Sequence, residues 1–305
     1  MALPPLSVGS SPTHAISTAR RSRFLLSGLA AAALVALVLV GRGGERAPAS
    51  AASSSSSAPA VSAPSAGDPS SSSPPRVPVT IFVMSLCPDA QFCETFLQPI
   101  LAPLKSVVKL RAEYIVSQAP TATTHEGGGG GAAAADREKK KKNAALTCKH
   151  GPRECAGNRQ QLCLQARIDE RVAAGQATAD ATVDVLLRFL TCGWRNPDGI
   201  GAEAGGRACL SEAGWAGKAE QDAVLACAGG PEGEALLAAS HAATTAAGAT
   251  NSCTINVAGR RRCVRDGGAW RECDGGAAAA DFASTICAAL PAGAREAAAA
   301  AGVCK

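Results

Sequence analysis

The chain has few aromatic side chains, ten in 305 residues, only four histidines, and no two cysteines spaced C-x-x-C. Without that paired knuckle the usual ligand arrangement of a structural zinc site is missing. No N-x-S/T sequon occurs, so glycosylation gives no clue to compartment; Asn251-Ser252-Cys253 is only the rare cysteine variant. A genuine excess of charge is lacking too. The formal charge is +5, but four positive charges lie in the single run Lys139 to Lys142, beside Gly127 to Gly131 and Ala132 to Ala135. That run reads as a solvated loop rather than a polyanion or anionic-lipid contact, and no nucleic-acid partner is expected.

The pattern of a packed core is also missing over long stretches. Residues 41–76 are almost entirely Ser, Ala and Pro from Ala47 to Pro75, too poor in apolar surface to offset the entropy of ordering, and read as a disordered stalk. Residues 121–147 form a low-complexity loop. Ahead of the stalk, Arg20, Arg21 and Arg23 precede an uncharged apolar run from Phe24 to Val40, about 25 Å long as a helix. That length suits an uncleaved signal-anchor, with cleavage near Ala47-Pro48-Ala49 as the competing reading. The arginines place residues 1–23 in the cytosol, so the remainder is lumenal or extracellular: a single-pass type II membrane protein or a secreted one.

What is abundant is cysteine. Thirteen are present, twelve of them from Cys93 onward, spread along the chain. In an oxidising compartment they are expected to form disulfides that hold the core. The odd count leaves at least one thiol unpaired, a description that fits a reactive cysteine or a loose Cys304 near the tail.

Order begins at Val77. Val77 to Val83 reads as a buried strand, followed at once by Cys87-Pro88-Asp89 and a helix carrying Phe92, Phe96, Leu97, Ile100, Leu101 and Leu104, which Pro99 and Pro103 should bend or end. A second strand, Val107 to Val116, completes a β-α-β unit. Helices are then expected from Pro152, from Thr178 to Cys192, and from Pro231 to His241. Cys253 to Val257 and Arg262 to Val264 flank Ala258-Gly259 as a hairpin, Arg265-Asp266-Gly267-Gly268 reads as a turn, and Ala278 to Leu290 supplies a last helix. Trp194, Trp215 and Trp270 read as core or disulfide-packing residues. The fold class is α/β: a thioredoxin-like domain over residues 77–305, with an inserted helical, disulfide-containing subdomain at about 148–250.

A cysteine that ends a strand and opens a helix has its sulfur near the unpaired N–H groups of the first helical turn, which favour the thiolate that attacks disulfides. Cys87 holds that position, although a half-cystine could stand there as well.

These residues resemble a known family. Ser85-Leu86-Cys87-Pro88-Asp89, then Cys148, His150, Gly151, Glu154, Cys155, Asn158 and Cys163 in the order C-x-H-G-x-x-E-C-x-x-N-x-x-x-x-C, then Ser252-Cys253-Thr254, are similar to the gamma-interferon-inducible lysosomal thiol reductase family. The resemblance covers roughly Val77 to Cys287. It implies a thioredoxin-like fold that reduces protein disulfides in an acidic or secretory compartment, lysosome or vacuole included, with Cys87 as nucleophile and no bound cofactor. One departure stands out: the family's second active-site cysteine, three residues after the first, is Ala90 here. Cys93 is the nearest substitute, but six residues along an intact helix exceed the reach of a disulfide to Cys87. Three outcomes follow. Cys87 acts as a monothiol released by glutathione or another thiol; a cysteine distant in sequence, with Cys253 as candidate, resolves it; or redox activity is lost, leaving a disulfide-stabilised lumenal binding module. The family's proline before the later strand also looks replaced near Cys253.

The cluster Cys148, His150, Cys155, Cys163 admits a zinc reading, but disulfides fit the compartment better. Cys148 and Cys155 need a turn between them to bridge, since seven residues of helix rise about 10.5 Å. His150, Glu154 and Asn158 near a helix start read as groups that satisfy backbone atoms rather than transfer protons.

Overall fold

A computed structural model of the protein describes residues 75–118 and 145–304, which fall within one compact unit, Gly67–Lys305. The expected cytosolic tail, the apolar segment 24–40, the stalk up to residue 74 and the tetralysine lie outside the described residues. Among the described residues no helix is long and apolar enough to cross a membrane.

Strand β1 (Val77–Val83) is an interior strand of a five-stranded sheet, second from one edge. Its valines and Ile81 are buried, as the run predicts. Helix α1 (Pro88–Leu104) carries the chain to β2 (Val108–Tyr114), which pairs parallel to β1 from Val77↔Val108 to Val83↔Tyr114. On the other side of β1 lies β5 (Thr254–Val257), antiparallel, with Ile81 opposite Ile255, then β6 (Arg260–Asp266) and β7 (Ala269–Arg271). A β-α-β unit and a β-hairpin joined in the order β2-β1-β5-β6, followed by a helix, is the thioredoxin-like topology. Short β3 (Ser117–Gln118) and β4 (Leu146–Thr147) pair antiparallel as a separate two-stranded sheet, so the last residues of the expected low-complexity loop belong to a strand.

Between β4 and β5 come helices α2 (Pro152–Ala173), α3 (Ala181–Arg195), α4 (Glu203–Glu212), α5 (Lys218–Gly229) and α6 (Pro231–Ala246). They do more than decorate the sheet. Strand β2 is its edge, and an edge exposes unpaired backbone groups. Here Thr182 Oγ1 accepts from Leu110 N, Gln165 Oε1 from Ala112 N at 2.8 Å, and Ser240 Oγ from Tyr114 N at 2.7 Å, while Thr244 Oγ1 donates to Tyr114 O. The alternate outward amides of β2 are thus answered by side chains from three different helices. This explains why Gln165, Thr182, Ser240 and Thr244 are buried despite their polarity.

Several boundaries differ from the sequence expectation. Helix α1 runs through Pro99 and Pro103 instead of ending there. A proline costs roughly 3 kcal/mol in a helix interior, but Leu97, Ile100, Leu101 and Leu104 are buried on this helix, and roughly 1.5–3 kcal/mol for each such side chain outweighs it. Helix α3 begins at Ala181 rather than Thr178, because Thr178 to Asp180 form a turn and the Asp180 carboxylate pairs with Arg76 at 2.7 Å. It also continues past Gly193, burying Trp194. Helix α6 extends beyond His241 because Thr244 is held against β2. β2 is shorter than Val107 to Val116, and Arg265 and Asp266 belong to β6 rather than to a turn. The helix expected from Ala278 to Leu290 is α7 (Ala279–Ala288); it is not the last, since α8 (Ala292–Ala300) follows.

Candidate active site

The turn from β1 into α1 presents four successive backbone amides, and each has a partner. Met84 N donates to Ser252 Oγ at 3.0 Å, Ser85 N to Asn158 Oδ1 at 3.0 Å, Leu86 N to Glu154 Oε2 at 3.4 Å, and Cys87 N to Met84 O at 2.9 Å. Two of the four acceptors come from the Cys148 to Cys163 segment. The buried Glu154 carboxylate also accepts His150 N at 3.2 Å and contacts His150 Nδ1, while Asn158 Nδ2 reaches Cys148 Sγ at 3.6 Å. The Ser85 hydroxyl donates to Glu154 O at 3.1 Å. Side chains more than sixty residues downstream therefore hold the turn that carries Cys87.

Gly157, which the sequence reading passed over, makes this approach possible. A Cβ there would stand 2.6 Å from Ile200 Cγ2 and 2.7 Å from Ser85 Oγ, closer than carbon tolerates. Its signal is a glycine inside a helical run, which often marks close approach by another element.

Cys87 is the N-cap of α1, with extended φ −85° and ψ 127°, followed by Pro88 at the first helical position. It is half-buried, and its thiol faces the Ser252 carbonyl oxygen at 3.8 Å. All thirteen cysteines lie in the described residues, and twelve are paired: Cys93–Cys253, Cys148–Cys155, Cys163–Cys227, Cys192–Cys209, Cys263–Cys273 and Cys287–Cys304. Cys87 is the one free thiol.

This pairing corrects several expectations. Cys304 is not loose, because it closes onto Cys287 of α7. Cys93 and Cys253, each expected as a resolving or a structural cysteine, are bonded to each other, α1 to the start of β5, with both side chains fully buried and Cα atoms 6.3 Å apart. Cys148 and Cys155 do bridge, with Cα atoms 5.5 Å apart, because the chain turns at Gly151 (φ 90°) before the helix starts. With Cys163 also bonded, to Cys227, the sulfurs around His150 are disulfide sulfurs and not thiolate metal ligands. Ala90 is fully buried, so no second thiol stands one turn along α1. The peptide between Ser252 and Cys253, near which the family's proline looked replaced, is cis.

Asp89 ties the first turn of α1 to the β6–β7 turn, accepting from Gly267 N at 2.9 Å and Gly268 N at 3.1 Å and pairing with Arg265 at 3.5 Å. The Arg265 guanidinium lies 3.4 Å from the Phe92 ring centroid, within a cluster that includes Phe96, Trp270 and Phe282. Phe92 is 40% exposed, the one large hydrophobic side chain so placed among the described residues. Trp270 is half-buried and packs in this aromatic cluster against the core, whereas Trp194 and Trp215 are buried. A second carboxyl lies deeper. Glu94 is completely buried, receives the Trp194 indole N–H at 2.6 Å on Oε2, and has no partner for Oε1. Burial raises its pKa to about 8, with the Trp194 bond opposing the shift. A cavity of about 230 Å³ lined by Gln160, Phe189, Gly193 and Ile200 lies within the helical insertion and does not include Cys87.

The family model of gamma interferon inducible lysosomal thiol reductase matches residues 78–213. A Drosophila melanogaster protein described as GILT-like protein 1 is 27% identical over 169 residues, covering 53% of this chain and 57% of that protein. An Anopheles gambiae gamma-interferon-inducible lysosomal thiol reductase-like protein is 26% identical over 164 residues, covering 53% of this chain and 58% of its own length. The chain thus spans less than two thirds of these curated relatives. Among solved structures, a crystal structure of an oxidised DsbA1 mutant is similar at a TM-score of 0.39 and 17% identity, over 74% of this chain and 88% of that one.

Proposed function

We propose that this chain is a divergent member of the gamma-interferon-inducible lysosomal thiol reductase family and reduces disulfides in protein substrates through Cys87. The supporting observation is that Cys87 alone of thirteen cysteines is free, partly exposed, and fixed at the strand-to-helix turn by hydrogen bonds from the Cys148 to Cys163 segment. The Cys87 thiolate attacks one sulfur of a substrate disulfide, the substrate S–S bond breaks, and a Cys87 mixed disulfide forms while the other substrate sulfur leaves as a thiolate. With alanine at position 90 no neighbouring thiol on α1 completes the step. The mixed disulfide is then cleared by a further thiol, which attacks the Cys87 sulfur and expels the second substrate thiolate; with a small thiol of the glutathione class as co-reductant, a second molecule of it then attacks the Cys87 adduct, freeing Cys87, and the two small thiols leave as their own disulfide.

Six disulfides in one domain suit an oxidising compartment, so the domain works in the lumen of the secretory or lysosomal system or outside the cell. The apolar segment 24–40 delivers it there, as a retained type II anchor or as a cleaved leader.

Ala90 favours a second reading, a non-catalytic disulfide-stabilised module that binds cysteine-rich or unfolded proteins. An insulin-reduction assay separates the two, run on the full-length chain and on Cys87→Ser with and without glutathione. Loss of turnover in Cys87→Ser, with dependence on glutathione in the parent, supports the reductase. Equal rates from the two proteins would sink it.

A further inference from the structure

Beside the nucleophile lies a second group that can exchange. Cys87 Sγ is 3.8 Å from the carbonyl oxygen of Ser252, the residue bonded directly to Cys253. Bond lengths alone then keep the Cys87 and Cys253 sulfurs within roughly 11 Å of each other, an upper limit that the bond angles along the path shorten. A rotamer change at Cys87 moves its sulfur by roughly 3 Å, and the thiol makes no capping bond that would resist it. The Cys253 partner, Cys93, sits on the same helix as Cys87 but too far along it to reach Cys87 directly. Cys253 is therefore placed between a surface thiol and a buried one, a position that the family's missing second cysteine leaves open.

We propose that Cys253 resolves the Cys87 mixed disulfide and passes the oxidation to Cys93, making the buried Cys93–Cys253 bond the spent form of a three-cysteine relay. This deepens the reductase reading and rests on Cys87 being its nucleophile. In the reduced form, Cys87 attacks the substrate disulfide and expels one substrate thiolate. Cys253 thiolate then attacks the Cys87 sulfur, forming Cys87–Cys253 and expelling the second substrate thiolate. Finally Cys93 thiolate attacks Cys253, forming Cys93–Cys253 and returning Cys87 as a thiolate. Two electrons and two protons have passed from the Cys93/Cys253 dithiol to the substrate. Resetting runs in reverse with two molecules of a small thiol, which leave as their own disulfide. Because both bridged cysteines are fully buried, a thiol from solution reaches that bond only through Cys87.

The test uses the full-length chain and Cys87→Ser, each incubated with reduced glutathione, quenched over time by alkylation and mapped by mass spectrometry. Cys93 and Cys253 should become alkylated in the parent and at least about tenfold more slowly in Cys87→Ser, whereas Cys287 and Cys304 open equally in both. Equal opening of Cys93–Cys253 in the two proteins, or a bond that stays closed in the parent, overturns the relay. In a second arm the thiol-treated parent receives one equivalent of insulin. Reappearance of Cys93–Cys253 with free substrate thiols supports the relay. A Cys87–insulin adduct that persists until glutathione is added overturns it while leaving the reductase reading intact; absence of both adduct and insulin reduction sinks both.

Discussion

Asn158 on α2 accepts the backbone N–H of Ser85 at 3.0 Å, joining residues 73 positions apart directly beneath the turn that carries the free thiol. The bond is buried at both ends, so its loss exposes nothing to water that could replace it. Asn158→Ala should cost about 1–3 kcal/mol, from the unsatisfied Ser85 amide. Asn158→Asp keeps the acceptor but loses the contact to Cys148 Sγ and places an ionisable carboxyl in a fully buried site beside the buried Glu154, so it should cost more than alanine at neutral pH. Thermal unfolding of the two variants checks the order; a larger loss in the alanine would contradict it.

Glu154 serves two backbone amides at once, Leu86 N through Oε2 and His150 N through Oε1. Glutamine retains one acceptor oxygen, so Glu154→Gln leaves one of these amides unanswered and lets the nucleophile turn shift. The expected result is a drop of about tenfold in kcat/KM for insulin reduction, from misplacement of Cys87. Insulin reduction and the rate of Cys87 alkylation should fall together, whereas a purely structural role would leave the alkylation rate unmoved.

Glu94 makes stability depend on pH with a definite sign. Its carboxyl is raised from 4.5 to about 8 by burial, so the folded protein holds a proton that the unfolded chain releases between those values. Stability from this group is fully present below about pH 4.5 and is lost as pH rises through about 8, on the order of 1.4 kcal/mol per pH unit. Glu94→Gln still accepts the Trp194 N–H and has no proton to lose, so its melting temperature should be flatter across that window. A variant whose pH slope matches the parent would show that Glu94 is not the group responsible. An acidic compartment is the condition under which the native carboxyl costs least.

Asp89 holds the Gly267-Gly268 turn against α1 by two backbone N–H bonds, with Arg265 beside it. These groups are mostly shielded, at 18% and 14% side-chain exposure, so the bonds are worth more than a surface ion pair. Asp89→Ala should lose about 1–2 kcal/mol, measured by denaturant titration, and faster amide exchange should be confined to the β6–β7 turn. Uniformly faster exchange across the sheet would mean that Asp89 supports the whole domain.

Much of the scaffold was readable because local chemistry and fold agree. Val77, Val79, Ile81 and Val83 bury one face of β1, Pro88 suits the first turn of α1, and Ala258-Gly259 turns the hairpin, with φ 51° and 76°. The reading failed where tertiary contacts overrule local preference. Pro99 and Pro103 look like helix breakers, yet the buried face of α1 holds the helix through both. Helices α4 and α5 and the short β7 were not foreseen; α4 and α5 are short and carry few buried apolar residues, so periodicity had little to act on, and each is pinned instead by a disulfide, Cys192–Cys209 and Cys163–Cys227.

At the site, the spacing of Glu154 and Asn158 was visible, but their partners were not, because a hydrogen bond to Ser85 or Leu86 depends on α2 lying across the end of β1. Glu94 was hidden for a similar reason: a glutamate on a helix reads as solvent-facing until Trp194 of α3 is packed over it.

What the order of residues determined by itself was the strand that ends at Cys87, the helix that begins there, and an odd number of cysteines that must leave a thiol over. Which thiol is left over, and which sulfur stands next to it, was decided by the tertiary structure alone. Disulfide partners are selected by distance after folding, and Cys93 and Cys253, 160 residues apart, become neighbours only when β5 aligns against β1.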